Sequence, residues 1–337
     1  MKKIIIISVV LIVVASILLV LNMRQHKSTR GTVSSVDTVS RKIALTSDNN
    51  DIVFTLSHGV SIVDSKNMPS FLAEINPGFE IIVDFHVKDN VHYADKIKIT
   101  KSPNIIILSP KKNSSVGSTF TISGISRTFE NTLMIEVVEP KTKQVLIKKY
   151  LTADAKDIGL YGNFETFVDL TFFPHYPLLN LSAFQYSAKD GSVIDKTTVS
   201  LQIDQPSKTP TKKNVFFSTT KNNPNQDCEI VEGVARSFDY NFDLVNSVLS
   251  ELTKGPNEEE KTAGMSSSIP AETKTNKISI QNNVLYIDFN QKLQEGVGGS
   301  CRVGAIISQL TNTFKNLGNF ENVVISIDNK TEDILQP

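Results

Sequence analysis

The rhythm of apolar and polar positions changes several times along the 337 residues. After Met1-Lys2-Lys3, the stretch from Ile4 to Leu21 is apolar apart from Ser8 and Ser16. At 1.5 Å per residue it spans about 27 Å, close to the hydrocarbon thickness of a bilayer, and predicts a membrane-spanning helix. A cleaved secretory signal has a shorter apolar core ending in a small-x-small site. Here the run ends Leu19-Val20-Leu21-Asn22-Met23, and no cysteine follows it for lipid attachment. Lys2 and Lys3 compete with Arg24, Lys27 and Arg30 for the cytoplasmic side. We read residues 1–30 as a signal anchor with the N-terminus inside and the body exported.

Beyond the anchor the period drops to two. Residues 31–101 show short alternating runs at Thr32–Val36, Ile43–Thr46, Ile52–Leu56, Val60–Val63, Glu80–Val87 and Tyr93–Ile99. These predict a small OB-like β-barrel, with an SH3-like barrel as the competing form. A hairpin with the three-residue loop Asp89-Asn90-Val91 would pair Ile81 with Ile99, Val83 with Ile97, Asp84 with Lys96 and Val87 with Tyr93, apolar on one face and charged on the other. Residues 102–204 carry a run at Ile105–Leu108 and strand-like segments at Thr119–Ser123, Leu133–Val138, Gln144–Tyr150, Phe164–Leu170, Leu181–Ser187 and Thr197–Ile203. That spacing is the pattern of an immunoglobulin-like β-sandwich. The polar, two-proline stretch 205–213 reads as a linker.

From 214 to 337 the period becomes mixed. Val215–Ser218 reads as a strand; Phe242, Val245, Val248, Leu249 and Leu252 recur at helical spacing and stop at Lys254-Gly255-Pro256. Lys277–Gln281 and Val284–Phe289 flank the two-residue turn Asn282-Asn283, a second helix carries Val303 to Leu317, and Val323–Ile327 closes the region. Two amphipathic helices over one sheet predict a two-layer α+β domain. The fold class is therefore multidomain and mainly β.

Charge alters the picture by what it excludes. Lys and Arg number 35, Asp and Glu 35, so there is no basic surface excess for nucleic acid. The five histidines all stand at or before His175, which leaves the C-terminal region without an imidazole base or ligand.

Several of these segments carry recognisable motifs. The order Leu252-Thr253-Lys254-Gly255-Pro256, Ser268-Ile269-Pro270, Ile287-Asp288-Phe289, Gly298-Gly299-Ser300-Cys301-Arg302, Gln309-Leu310-Thr311 and Val324-Ile325-Ser326-Ile327-Asp328 resembles the GerMN domain of sporulation and spore-germination proteins. Thr253 and Asn329 depart from its usual aliphatic residue and glycine. Ile107-Leu108-Ser109-Pro110, Ile122-Ser123-Gly124, Tyr161-Gly162-Asn163-Phe164 and Ser187-Ala188-Lys189-Asp190-Gly191-Ser192 resemble the immunoglobulin-like domain of bacterial spore germination. Neither family carries a recognised catalytic centre. The resemblance implies a non-enzymatic, cofactor-free, extracytoplasmic protein at the cell membrane that acts by envelope protein–protein assembly. It also implies that partners or self-association engage the C-terminal domain. Binding of cell-wall glycan or peptidoglycan by the barrel or sandwich is the alternative.

Cys228 and Cys301 are the most informative residues. Two cysteines in an exported chain read as a disulfide. A reactive Cys301 thiolate would lack a base, and zinc would lack ligands. His86 and His92 fall on one solvated face of the predicted hairpin and read as surface histidines rather than metal ligands. Glu258-Glu259-Glu260 reads as the acidic first turn of a helix rather than a calcium site. Gly296-Val297-Gly298-Gly299 lacks the pattern of a phosphate loop. The candidate contact patch is the loop bearing Phe172, Phe173, His175 and Tyr176, with packing at the end of the sandwich as the competing explanation.

Overall fold

The computed structural model describes residues 27–47, 50–240 and 242–336. They form two compact units that divide between Pro103 and Asn104. The anchor expected over residues 4–21 lies outside the described residues; among them, no helix is long and apolar enough to cross a membrane.

The first unit consists of β1 (Lys27–Asp37), β2 (Lys42–Ser47), β3 (Asn50–Val63), β4 (Glu80–Lys88) and β5 (Val91–Lys101). They close into a barrel in the order β1-β2-β3-β5-β4, with β3 and β5 parallel. This is the OB arrangement of a five-stranded sheet. Alternation decides what faces inward: Ile43, Leu45, Phe54, Ile81, Val83 and Ile97 are fully buried. Two of the expected strands, Ile52–Leu56 and Val60–Val63, are one strand, β3, whose register against β5 shifts between Leu56 and Ser61.

The β4–β5 hairpin keeps the expected pairs Ile81 with Ile99, Val83 with Ile97 and Asp84 with Lys96. Its turn is tighter than expected: Asp89 and Asn90 both adopt positive φ, 49° and 59°, and close a two-residue loop. A bulge at Asp95 absorbs the extra residue, so Val87 opposes His92 instead of Tyr93. One residue of slip moves a side chain to the other face. His86 and His92 therefore do not share a face. His92 packs edge-on against Phe54 and Phe85, whereas His86 stacks on Tyr93.

The second unit begins with β6 (Ile105–Ser109), β7 (Ser115–Val116), β8 (Thr119–Ser126), β9 (Thr132–Val138), β10 (Val145–Thr152), β11 (Gly162–Asp169), β12 (Leu178–Tyr186) and β13 (Val193–Ile203). It continues through β14 (Lys208–Thr219), β15 (Val231–Tyr240), α1 (Leu244–Lys254), α2 (Glu258–Thr262), β16 (Met265–Ser266), β17 (Thr275–Gln281), β18 (Val284–Phe289), α3 (Ser300–Gly318) and β19 (Asn322–Ile327). The three-stranded sheet β11-β8-β6 packs on β10-β9-β12-β13-β7 as an immunoglobulin-like sandwich. The latter sheet does not stop there. β10 pairs in parallel with β17 at Ile147–Ile280 and Lys148–Gln281, which produces one eight-stranded sheet, β19-β18-β17-β10-β9-β12-β13-β7.

Two expectations for the C-terminal region need correction. Residues 205–213 are not a free linker: β14 starts at Lys208 and is already paired with β15 at Thr211–Phe238, so backbone hydrogen bonds hold a segment whose side chains are mostly polar. The region is not a single sheet under two helices, because β15-β14-β16 forms a further sheet. The helices do bury the expected stripes, Val245, Val248, Leu249 and Leu252 on α1 and Val303, Ile306, Leu310, Phe314 and Leu317 on α3, whereas Ile307, expected on the same stripe, is exposed. Gly255 ends α1 at φ 79°, and Asn319 ends α3 at φ 54°. Within the α3 core, the buried Gln309 amide donates to Ser218 Oγ (2.7 Å), and Thr313 Oγ1 accepts from the Phe216 N–H (2.9 Å). These bonds satisfy polar groups that burial would otherwise penalise.

Candidate functional site

The aromatic loop after β11 is a joint between the sandwich and the rest of the unit. Phe172 and Phe173 are 6% and 1% exposed, so they offer no free patch to another molecule. Their partners lie in the C-terminal half. The Asp243 N–H donates to Phe173 O (2.7 Å), and the Leu244 N–H donates to Thr171 O (2.9 Å). The loop carbonyls thus accept two amides at the start of α1, where N–H groups lack intrahelical partners. Phe172 meets Phe320 edge-on at 5.1 Å, and His175 meets Phe242 at 5.0 Å. His175 Nε2 lies 2.9 Å from Asp204 O, which fixes the imidazole on the chain's own backbone. Tyr176 packs half-buried against the same core, and burial raises its phenol above the ordinary range.

Gly318 makes this contact possible. A Cβ there would come within 2.6 Å of Phe172 Cζ and 2.9 Å of the Phe320 ring. Beside the joint opens a cleft of about 540 Å³. Lys149 and Lys213 line it and donate to backbone carbonyls, Lys149 to Phe167 O (2.5 Å) and Lys213 to Leu317 O (2.6 Å) near the end of α3. Burial pushes the Lys149 amine below its ordinary value, with the Asp169 carboxylate opposing. Burial likewise raises the Asp243 carboxyl, with a hydrogen bond from Asn246 opposing. In the same cleft the Thr171 hydroxyl donates to Asp169 Oδ1 (2.6 Å).

Cys228 and Cys301 form a disulfide. It fastens the loop between β14 and β15 to the first turn of α3, and Ser308 Oγ reinforces the attachment by donating to Glu229 O (2.6 Å). The expected glutamate run adopts its structural role. Glu260 completes a capping box with Asn257 and takes a bidentate grip from Arg236 at 2.7 and 2.8 Å, which holds its carboxyl below the ordinary range. Arg236 also reaches Glu251 at 3.4 Å.

Two polar clusters escaped sequence reasoning. Asp288 is buried and accepts from Ser326 Oγ (2.6 Å), the Asn329 N–H (2.6 Å) and Asn276 Nδ2 (3.1 Å), which pins the turn after β19. Asn329 occupies the left-handed region at φ 64°, a conformation Asn tolerates better than other side chains, so the turn survives without glycine. In the barrel, Ser57 Oγ donates to Asp95 Oδ1 (2.8 Å), and His86 Nδ1 lies 2.7 Å from Asp95 Oδ2. Serine and histidine share the carboxylate but do not meet each other, so the trio is no nucleophilic triad. Among the described residues, no three His, Cys, Asp or Glu side chains converge as a metal site.

Comparison with known proteins agrees with both domain resemblances. Residues 214–333 match the family model described as sporulation and spore germination. Residues 104–192 match that of the immunoglobulin-like domain of bacterial spore germination. No curated protein matches the chain in sequence. Among solved structures, the tandem GerMN domains of the sporulation protein GerM from Bacillus subtilis align at 17% identity, covering 36% of this chain and 40% of that one, with a TM-score of 0.28. The first GerMN domain of the same protein aligns at 16% identity over 36% of this chain and 85% of that one, TM-score 0.27. Silver-bound CusF from Escherichia coli aligns at 20% identity over 24% of this chain and 98% of that one, TM-score 0.20.

Proposed function

We propose, for a chain that carries a GerMN domain of the sporulation and germination type behind a germination immunoglobulin-like domain, a membrane-anchored, extracytoplasmic role in envelope protein–protein assembly without catalysis. The observation that carries this reading is the joint. Phe172, Phe173 and His175 are committed to contacts within the chain, and the sheet runs unbroken from β10 to β17. A unit built this way suits presentation of a fixed surface at a distance from a membrane better than turnover of a substrate. The disulfide fits an oxidising compartment outside the cytoplasm. Residues 4–21 supply the proposed anchor.

Two experiments test the proposal. Carbonate extraction of membranes should leave the chain in the pellet, and its release would remove the anchor. Deleting residues 104–337 should abolish co-purification with envelope partners; retention of every partner by the remaining barrel would defeat the assembly role. The deletion takes the whole second unit because β14 and the shared sheet leave no cut inside it that spares the core.

A further inference from the structure

The eight-stranded sheet ends on β19, and this edge is built differently from the others. Natural sheets protect open edges with charge, proline, bulges or brevity. At the opposite end, β7 has only two residues, and its neighbour β13 carries Asp195 at φ 53° followed by Lys196. β15 bears Glu232, Arg236 and Asp239; β11 bears Glu165 and Asp169. β6 is uncharged, but its register shifts between Ile107 and Ser109, Pro110 follows it, and Ile105 O accepts from Thr197. β19 reads Asn322-Val-Val-Ile-Ser-Ile327, with no charge, proline or register shift.

The direction of its backbone groups is fixed by two contacts at its end. The Asp328 N–H donates to Phe289 O on β18 (3.0 Å), whereas Ile327 exchanges both hydrogen bonds with Lys330 on the other side (2.9 and 3.0 Å). Because peptide groups alternate along a strand, Val324 and Ser326 address β18, and Val323 and Ile325 address the open side. There, the Val323 N–H is met only by the neighbouring Asn322 side chain (2.9 Å). No other strand lies beyond β19 among the described residues.

We propose that β19 pairs antiparallel with β19 of a second copy of this chain, about a two-fold axis at Val324. In that register Val323 of each copy exchanges both hydrogen bonds with Ile325 of the other. The Val324 residues face each other as a non-hydrogen-bonded pair, on the sheet face opposite the helices. The partner strand runs opposite Asn322–Ser326 and so stops short of Lys330, which already occupies the place across from Ile327. At each end the exposed Glu321 of one copy arrives beside the exposed Lys330 of the other, opposite charges twice over. A foreign strand would find the same hydrogen bonds without this repeated match, and a two-fold contact is self-complementary by construction. The inference deepens the assembly reading of the C-terminal domain by naming one partner, and it rests on that reading only for its biological sense.

The test uses the full chain in detergent at about 100 µM, a concentration that populates even a micromolar dimer. Sedimentation should show a dimer. Val324→Cys should cross-link across the axis on oxidation, since Cα atoms of such a pair lie about 4.5 Å apart. Ser326→Cys should not, because its symmetry mate is four positions away along the strand. Val324→Lys places like charges opposite each other and should weaken the dimer at least about tenfold, with an unchanged circular dichroism spectrum. A monomer at this concentration, equal cross-linking of both cysteines, or an undiminished Val324→Lys dimer would overturn the proposal. A monomer that still loses its envelope partners on deletion of residues 104–337 would remove the second copy as occupant and leave the assembly reading in place.

Discussion

In the barrel, β1 pairs with both β2 and β4, so every strand has two neighbours and the sheet has no ends. In the second unit the sheet stays open and grows instead, taking strands from two sequence families into one ladder that ends on β7 and β19. Closure makes a module complete in itself, with every strand pairing kept within residues 27–101. Growth makes a larger body whose parts depend on contacts far apart in sequence: a disulfide across 73 positions, a phenylalanine pair at 172 and 320, and a hydrogen bond from Gln144 to Ile278. The barrel should therefore tolerate the loss of any contact in the second unit.

The largest effect is expected from the bridge. Replacing Cys228 and Cys301 by serine should cost about 4 kcal/mol in the chain-entropy account of a loop this long. Calorimetry of the full chain should show the second unit's transition falling while the barrel's stays in place; a fall of both together would break the comparison. Phe172→Ala should cost about 3 kcal/mol by opening a cavity at the joint, and Gly318→Val should lower the same transition by driving a side chain into the Phe172 ring. Arg236→Ala leaves Glu260 without its cation, while Glu251 keeps Lys254 at 2.6 Å, and should cost about 2 kcal/mol. The Glu260 carboxyl is held below its ordinary range. Its share of that stability is present above the ordinary carboxylate pKa and disappears as pH falls through the lowered one, so the Arg236→Ala deficit should shrink in acid.

The smallest effect concerns Asp243, whose carboxyl is raised by burial. A raised carboxyl favours the protonated folded state, so its contribution is present in acid and is lost as pH rises through the raised value. Asp243→Asn should modestly raise the melting temperature at neutral pH and make no difference below the ordinary carboxylate range. Asn also suits the left-handed conformation at φ 64°. A gain that persists in acid would place the effect in that backbone preference instead of the charge.

What could be read from the sequence was what a short window contains. The Asn282-Asn283 turn fixes the β17–β18 register at Gln281–Val284, and both asparagines take positive φ. The stripes of α1 and α3 follow from helical period, and the cysteine pairing from their number and the expected compartment. β15 escaped because Gly233, Arg236 and Asp239 interrupt its apolar alternation, and the strand is held by its twelve-residue partner β14 rather than by its own pattern. The start of β14 escaped for the same reason: Lys208-Thr209-Pro210-Thr211 has linker composition, and only β15 makes it a strand. The bulge at Asp95 leaves no compositional mark, so the faces of His86 and His92 were assigned by an unbroken alternation that the chain does not keep. The aromatic loop showed its character but not its partner, since Phe320 lies in another family's domain.

The parallel pairing of β10 with β17 also bears on how such a chain must mature. A chain synthesised from its N-terminus presents β10 well before β17 emerges, with 134 positions between Gln144 and its acceptor Ile278. For that interval the sandwich has a raw strand on its flank, open to pairing with newly made neighbours. Lys148 and Lys149 stand on that strand, and charged residues of this kind discourage uninvited pairing. The two lysines that later serve the finished sheet and its cleft thus double as wardens of the half-made one.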